Sequence, residues 1–176
     1  MGIIKGNQIS SLEAFLCEGS FGSGKYYGYN NKKIISLVKV RTKNKTIGYG
    51  ESLVGIYSPE LFQINIKYLS KFFVKKNALE GLKEIKSLQK NKFFFINGII
   101  KSLLAAIEIA LIDLYSRENN LSITDALKKL YKLNSDFSPV KLYSSAGSIK
   151  SSLKDLEHDT KKSKKFNINR IKIRID

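Results

Sequence analysis

A chain of 176 residues is long enough for one ordinary domain, or for one small domain and the start of another, and its 43% hydrophobic content with ten Phe and nine Tyr can build a real core. No stretch reaches the apolar length of a membrane span, the N-terminal MGIIKGNQISSLEAFLC lacks the basic start and apolar run of a secretory signal, and the lone Cys17 excludes an internal disulfide or a thiolate zinc cluster, so a soluble cytoplasmic protein without a membrane partner is expected. The formal charge of +16 raises a nucleic-acid role, but the lysines are scattered from Lys5 to Lys172, their one tight run (Lys161, Lys162, Lys164, Lys165) reads as a solvated turn, and no RNA-recognition, helix-turn-helix or zinc-finger pattern is present; no nucleic-acid partner is expected.

Three strands come first, at Ile9–Leu16, Ile34–Arg41 and Ile47–Ile56, the last two joined as a hairpin by the polar turn KNKT. Between the first two lies EGSFGSGKYYGY, in which Gly19 to Lys25 satisfies most of the phosphate-binding pattern G-x-x-x-x-G-K. Tyr26 stands where that loop needs a Ser or Thr hydroxyl, and a turn-rich run follows where it needs a helix, so a nucleotide site is excluded.

From Ser58 the hydrophobic period changes to that of a helix. SPELFQINIKYLSKFFV has Ser at the N-cap and Pro at the first helical position, and places Leu61, Ile64, Tyr68, Leu69 and Phe72 on one expected core stripe. A second helix is expected through NALEGLKEIKSLQK. A third, NGIIKSLLAAIEIALIDLYSRENN, is apolar nearly all round and so buried on most sides. SITDALKKLYKL gives a short fourth helix capped by Ser122, and Pro139 marks a break.

Beyond Pro139, VKLYSSAG reads as a strand, SIKSSLKDLEHDTKKSKK as a helix and INRIKIRID as a second strand, which together form a βαβ unit with parallel strands. The architecture is therefore α+β, an antiparallel sheet followed by helices, leading into the start of a parallel α/β structure. Two parallel strands cannot close a barrel, so the sequence is expected to be truncated at Asp176.

Four segments in one order carry a resemblance: VKVRTKNKTIGYGES, with Gly-Tyr-Gly-Glu at Gly48 to Glu51; AAIEIALIDLYSRENNLSITDAL; VKLYSSAG; and FNINRIKIRID. They resemble the mandelate racemase and muconate lactonizing enzyme family of the enolase superfamily. The resemblance implies an N-terminal capping domain at residues 1–138 and the first βαβ unit of a TIM-type (β/α) barrel at residues 139–176. KKLYKLNSD departs from the Leu-Leu-Gly-Gly turn common in the family. The implied activity is abstraction of the proton alpha to a carboxylate, with Mg2+ stabilising the enolate. The implied partners are a small carboxylate substrate, such as an acid sugar, and further copies of the full-length protein in a homo-oligomer.

The family's Lys-x-Lys motif falls on Lys172, Ile173 and Arg174, and alternation puts Lys172 and Arg174 on one face of the strand. The plainer reading is a pair of cations on a solvated face. By resemblance they are the catalytic residues of this chain. A guanidinium with a pKa above about 12 is a poor proton carrier and a good carboxylate clamp, which leaves Lys172, or a group on another strand, as the base. One base with an acid for the departing hydroxide suits a dehydratase better than a two-base racemase. An acid-sugar dehydratase is the expected function, with racemase, epimerase, cycloisomerase or a non-catalytic cap-like interaction module as alternatives.

Phe21, Lys25, Tyr26 and Tyr57 are the substrate-binding residues expected on the cap loops: the glycines would hinge the first loop, its aromatic rings exclude water, and Lys25 meet the anionic substrate. The plainer reading of that first loop is a flexible surface hairpin. No residue of this chain is expected to hold the metal, since Glu51, Glu108 and Asp113 fall in cap segments where structural hydrogen bonds are the simpler role.

Overall fold

The computed structural model describes residues 7–20, 32–90, 98–134, 140–146 and 152–173. The chain divides into two compact units, Met1–Asn134 and Ser135–Asp176.

The first unit opens with an antiparallel sheet of three strands in the order β1 (Ile9–Ser20), β2 (Lys32–Thr42) and β3 (Ile47–Ser52). The expected hairpin is present: the Thr42 N–H donates to the Thr46 carbonyl at 3.0 Å, and Lys45 takes a positive φ of 69° in the turn. Strand alternation divides the sheet into two faces. Ser36, Val38, Val40 and Thr42 are buried on one, while Ile35, Lys39 and Arg41 stand on the other with greater exposure.

The third strand stops at Ser52, four residues before its expected end. The Ser52 hydroxyl accepts from the Val54 N–H at 3.2 Å and turns the chain into one helical turn, α1 (Val54–Tyr57). A side-chain oxygen offered to the backbone two residues on is a local alternative to the ladder that periodicity does not register.

Helix α2 (Pro59–Leu69) starts at Pro59 as expected, but its buried stripe is Phe62, Ile66 and Leu69, continued by Phe73 beyond the helix end. Leu61, Ile64 and Tyr68 of the expected stripe are exposed. Apolar residues occupy two faces of this helix, and packing against β1 selects the one that carries Phe62. Helix α3 (Ala78–Lys90) begins with a reciprocal cap, in which the Glu80 N–H donates to Asn77 Oδ1 and the Asn77 N–H to Glu80 Oε2, both at 2.9 Å.

Helix α4 (Gly98–Glu118) lies against β2 and β3 and buries Leu103, Leu104, Ile107, Leu111 and Leu114. Each fully buried side chain of this size contributes about 1.5–3 kcal/mol. Its contact with β3 is at backbone distance. A Cβ on Gly48 would stand 2.6 Å from the Leu114 nitrogen, and one on Gly50 would collide with the Ala106 carbonyl. Helix α5 (Ile123–Tyr131) closes the unit, its first turn capped by the Ser122 hydroxyl, which accepts from the Asp125 N–H at 3.0 Å.

In the second unit, β4 (Ser144–Ala146) and β5 (Ile171–Ile173) pair in parallel, with α6 (Leu153–Lys165) connecting them. Both strands begin later than the patterns VKLYSSAG and INRIKIRID predict, at Ser144 and Ile171. A capping box sets the start of α6: Asp155 N–H donates to Ser152 Oγ at 3.2 Å, and Ser152 N–H donates to Asp155 Oδ2 at 2.9 Å.

Candidate functional site

Two groups of expected site residues fall in different units. In the first, the register pairs Ser20 with Lys32 and Ser36 with Ser52, so β1 ends, β2 begins and β3 ends at the same end of the sheet. The turn through α1 therefore starts at the same end of the sheet as the two residues, Ser20 and Lys32, that flank the segment joining β1 to β2. Phe21, Lys25 and Tyr26 lie on that joining segment, outside the described residues.

Tyr57, at the end of α1, is 79% exposed, and Leu53 just before the helix is 62% exposed. The turn that carries both is anchored on buried serines. Ser36 Oγ donates to the Ser52 carbonyl, Ser52 Oγ stands 3.2 Å from Ser102 Oγ on α4, and Gly55 packs where a Cβ would meet Ser36. A rigid base thus presents an apolar and a phenolic side chain to solvent. Leu53 and this serine anchor are absent from the sequence-level expectation, because the expected strand ran straight through them.

In the second unit, Lys172 is exposed at the centre of β5, with Ile171 half-buried and Ile173 48% exposed on the opposite face. Its register partner is Ser145. Arg174 lies outside the described residues. An open cleft of about 270 Å³ between β4 and α6 is lined by Ser144, Asp159, Lys162 and Phe166 among others.

The three carboxylates singled out in the cap segments differ in environment. Asp113 Oδ2 accepts from the Tyr49 N–H at 2.9 Å and Oδ1 from Arg117 Nε at 3.0 Å. Tyr49 is on an edge strand, so Asp113 satisfies a backbone donor that the sheet leaves unpaired. Glu108 accepts from the Tyr131 hydroxyl at 2.9 Å, and burial first, then Glu108, holds that phenol's pKa above its ordinary value. Glu51 is exposed. Among the described residues no group of three or more His, Cys, Asp or Glu side chains is placed to hold a metal ion. The described residues therefore do not fit a Mg2+ centre.

Glu118 lies in the last turn of α4. Its Oε1 is buried without a hydrogen-bond partner among the described residues, and desolvation raises its pKa to about 7. The sequence shows a carboxylate in the last turn of a largely apolar helix, but its burial depends on groups that no local pattern records.

No helix among the described residues is long and apolar enough to cross a membrane. No family model matches the sequence, and no curated protein matches it. Solved structures do match. A member of the enolase superfamily from Agrobacterium tumefaciens has a TM-score of 0.68 at 21% identity, covering 96% of this chain and 47% of that one. The 3,6-anhydro-D-galactonate cycloisomerase from Zobellia galactanivorans has a TM-score of 0.68 at 17% identity, covering 94% and 42%. A muconate cycloisomerase from Azorhizobium caulinodans has a TM-score of 0.66 at 18% identity, covering 94% and 41%. The chain spans less than half the length of these three proteins. At these identities the similarity is one of fold, and the fold of this chain is that of the N-terminal portion of enolase-superfamily proteins, beginning with their capping domain.

Proposed function

We propose that this chain supplies the cap and the first two barrel strands of an enzyme that removes the proton alpha to a carboxylate, and that the reaction is dehydration of an acid sugar. The observation that carries this reading is the enolase-superfamily fold along nearly the whole chain. The exposed Lys172 on the second parallel strand supports it.

In this reading Lys172 accepts the alpha proton, and the C–H electron pair moves into the enolate. Hydroxide then leaves the beta carbon with a proton from an acid on another strand, and the enol product becomes a 2-keto-3-deoxy acid. Arg174 clamps the carboxylate in two-pronged fashion and does not shuttle protons. Lys25 meets the same anion from the cap, while Phe21, Tyr26 and Tyr57 exclude water. Mg2+ is the proposed cofactor of the complete enzyme, with ligands outside this chain; cytoplasm is its proposed setting. The domain boundary proposed from Pro139 separates cap from barrel.

A second reading, cycloisomerisation or epimerisation, is favoured by the names of the matched structures, two of which are cycloisomerases. NMR in D2O, on the protein that joins this chain to its completing strands, separates the two across a panel of acid sugars with Mg2+. Alpha-proton exchange with loss of hydroxyl supports dehydration. Exchange with ring closure or inversion supports the second reading, and no exchange with any sugar acid, muconate or dipeptide overturns both. Lys172→Ala is expected to lower kcat at least a hundredfold, with little change in KM.

A further inference from the structure

The α1 turn is too short to hold itself. Within it the Ile56 N–H donates to the Leu53 carbonyl at 3.2 Å and the Ser58 N–H to the Val54 carbonyl at 2.8 Å, and Leu53 at the N-cap offers no side-chain cap. One turn of helix lies below the length at which propagation repays nucleation, so contacts from outside must fix it. The mostly exposed side chains of Leu53 and Tyr57 do not supply them. Buried Val54 adds packing, which is not directional.

Hydroxyls from β2, β3 and α4 give the turn its direction. Ser36 Oγ donates to the Ser52 carbonyl at the end of β3, Ser52 Oγ accepts from the Val54 N–H, and Ser102 Oγ meets that same hydroxyl at 3.2 Å, where either can donate. Ser36 and Ser52 are buried, and Ser102 is half-buried. Gly55 closes the seat, since a Cβ there would collide with Ser36 and stand 3.1 Å from Leu16 Cδ2 on β1. A hydroxyl that serves one backbone donor can rotate away unless a second partner fixes it, and for Ser52 that partner is Ser102.

We propose, taking the alpha-proton reaction above as given, that Ser102 is a positioning residue for the substrate. Through Ser52 it sets the direction in which the α1 turn presents Leu53 and Tyr57. Contacts remote from the reacting carbon bind ground state and transition state alike, so this device acts on KM and leaves the rate of proton removal to the barrel strands.

Ser102→Ala isolates the role, because alanine is a better helix former than serine and keeps α4 intact. On the 176-residue chain, exchange of the Val54 amide should quicken about tenfold while the α4 amides from Leu104 to Leu114 keep their rates. In the protein that joins this chain to its completing strands, with whichever acid of the panel above wild type turns over fastest, KM should rise about fivefold with kcat within about twofold. Ser102→Thr keeps the hydroxyl and should return both Val54 exchange and KM to within about twofold of wild type. Unchanged Val54 exchange in Ser102→Ala overturns the proposal, because the turn is then held by other contacts. Faster exchange with an unchanged KM, or a loss confined to kcat, overturns it as well, because the turn then does not bind substrate. So does a KM that stays high in Ser102→Thr although Val54 exchange has recovered. A wild-type enzyme that turns over none of these acids removes the reaction and this role together, whereas the other failures leave the reaction standing.

Discussion

Gly50 and Glu118 show how much a single position depends on what lies across from it. Gly50 is required because Ala106 of α4 sits against its backbone, so the Gly-Tyr-Gly-Glu motif serves packing as well as resemblance. Gly50→Ala must push helix from sheet, and is expected to cost about 3 kcal/mol and lower Tm by at least about 5 °C in a thermal scan. An unchanged Tm would show that α4 does not rest on β3 in this way.

Glu118 has a folded pKa raised to about 7, above the ordinary 4.5 of a carboxylate, so the folded state holds a proton that the unfolded state has lost. Its contribution therefore favours folding least at high pH: stability falls as pH rises from about 4.5 through about 7, and the partial exposure of the group limits the loss to the order of 1 kcal/mol. Glu118→Gln should flatten this part of the curve in urea denaturation at pH 5 and pH 8. Equal slopes for the two proteins would contradict the burial of that carboxyl.

Among the elements, helices with a local cap begin at that cap, although α6 starts at Leu153 rather than at Ser148 where the pattern SIKSSLKDLEHDTKKSKK begins. Pro59, the Asn77–Glu80 pair, Ser122 and the Ser152–Asp155 box all begin helices, because a cap is satisfied within four residues and needs no partner from elsewhere. Ser152→Ala is expected to destabilise α6 by about 1 kcal/mol, seen as faster amide exchange through its first turns. Acid acts on the same cap. Its hydrogen bonds with Ser152 hold Asp155 below the usual carboxylate pKa, so this stabilisation is full above the ordinary Asp range and is lost as pH falls through the lowered folded value. The buried face of α2 had no such local signal, and either of its apolar stripes would suit an isolated helix.

For the whole molecule, the two units differ in how they are held. The first has a contiguous core from Ile9 to Ala126. Among its described residues the second has a two-stranded parallel pair of three residues each, and Val140, Leu142, Leu153 and Phe166 stand 68% or more exposed. So small a parallel sheet gains little stability by itself. Hydrogen exchange on the 176-residue chain is expected to protect the α4 amides at least a hundredfold more than those of β4 and β5. Equal protection would mean that the second unit is stabilised by something beyond its own strands.

The sequence alone determined the order of the strands and longer helices, the helix starts at Pro59 and Ser122, the parallel crossover in the second unit and the resemblance to the enolase superfamily, since periodicity, caps and short motifs are local properties of the chain. Tertiary structure decided which stripe of α2 is buried, where β3 turns into α1 beneath Leu53 and Tyr57, and why Gly48 and Gly50 must lack side chains. It also set the environments of Glu118 and Asp113. Each of these depends on groups far apart in sequence meeting at van der Waals or hydrogen-bond distance, which no local pattern records.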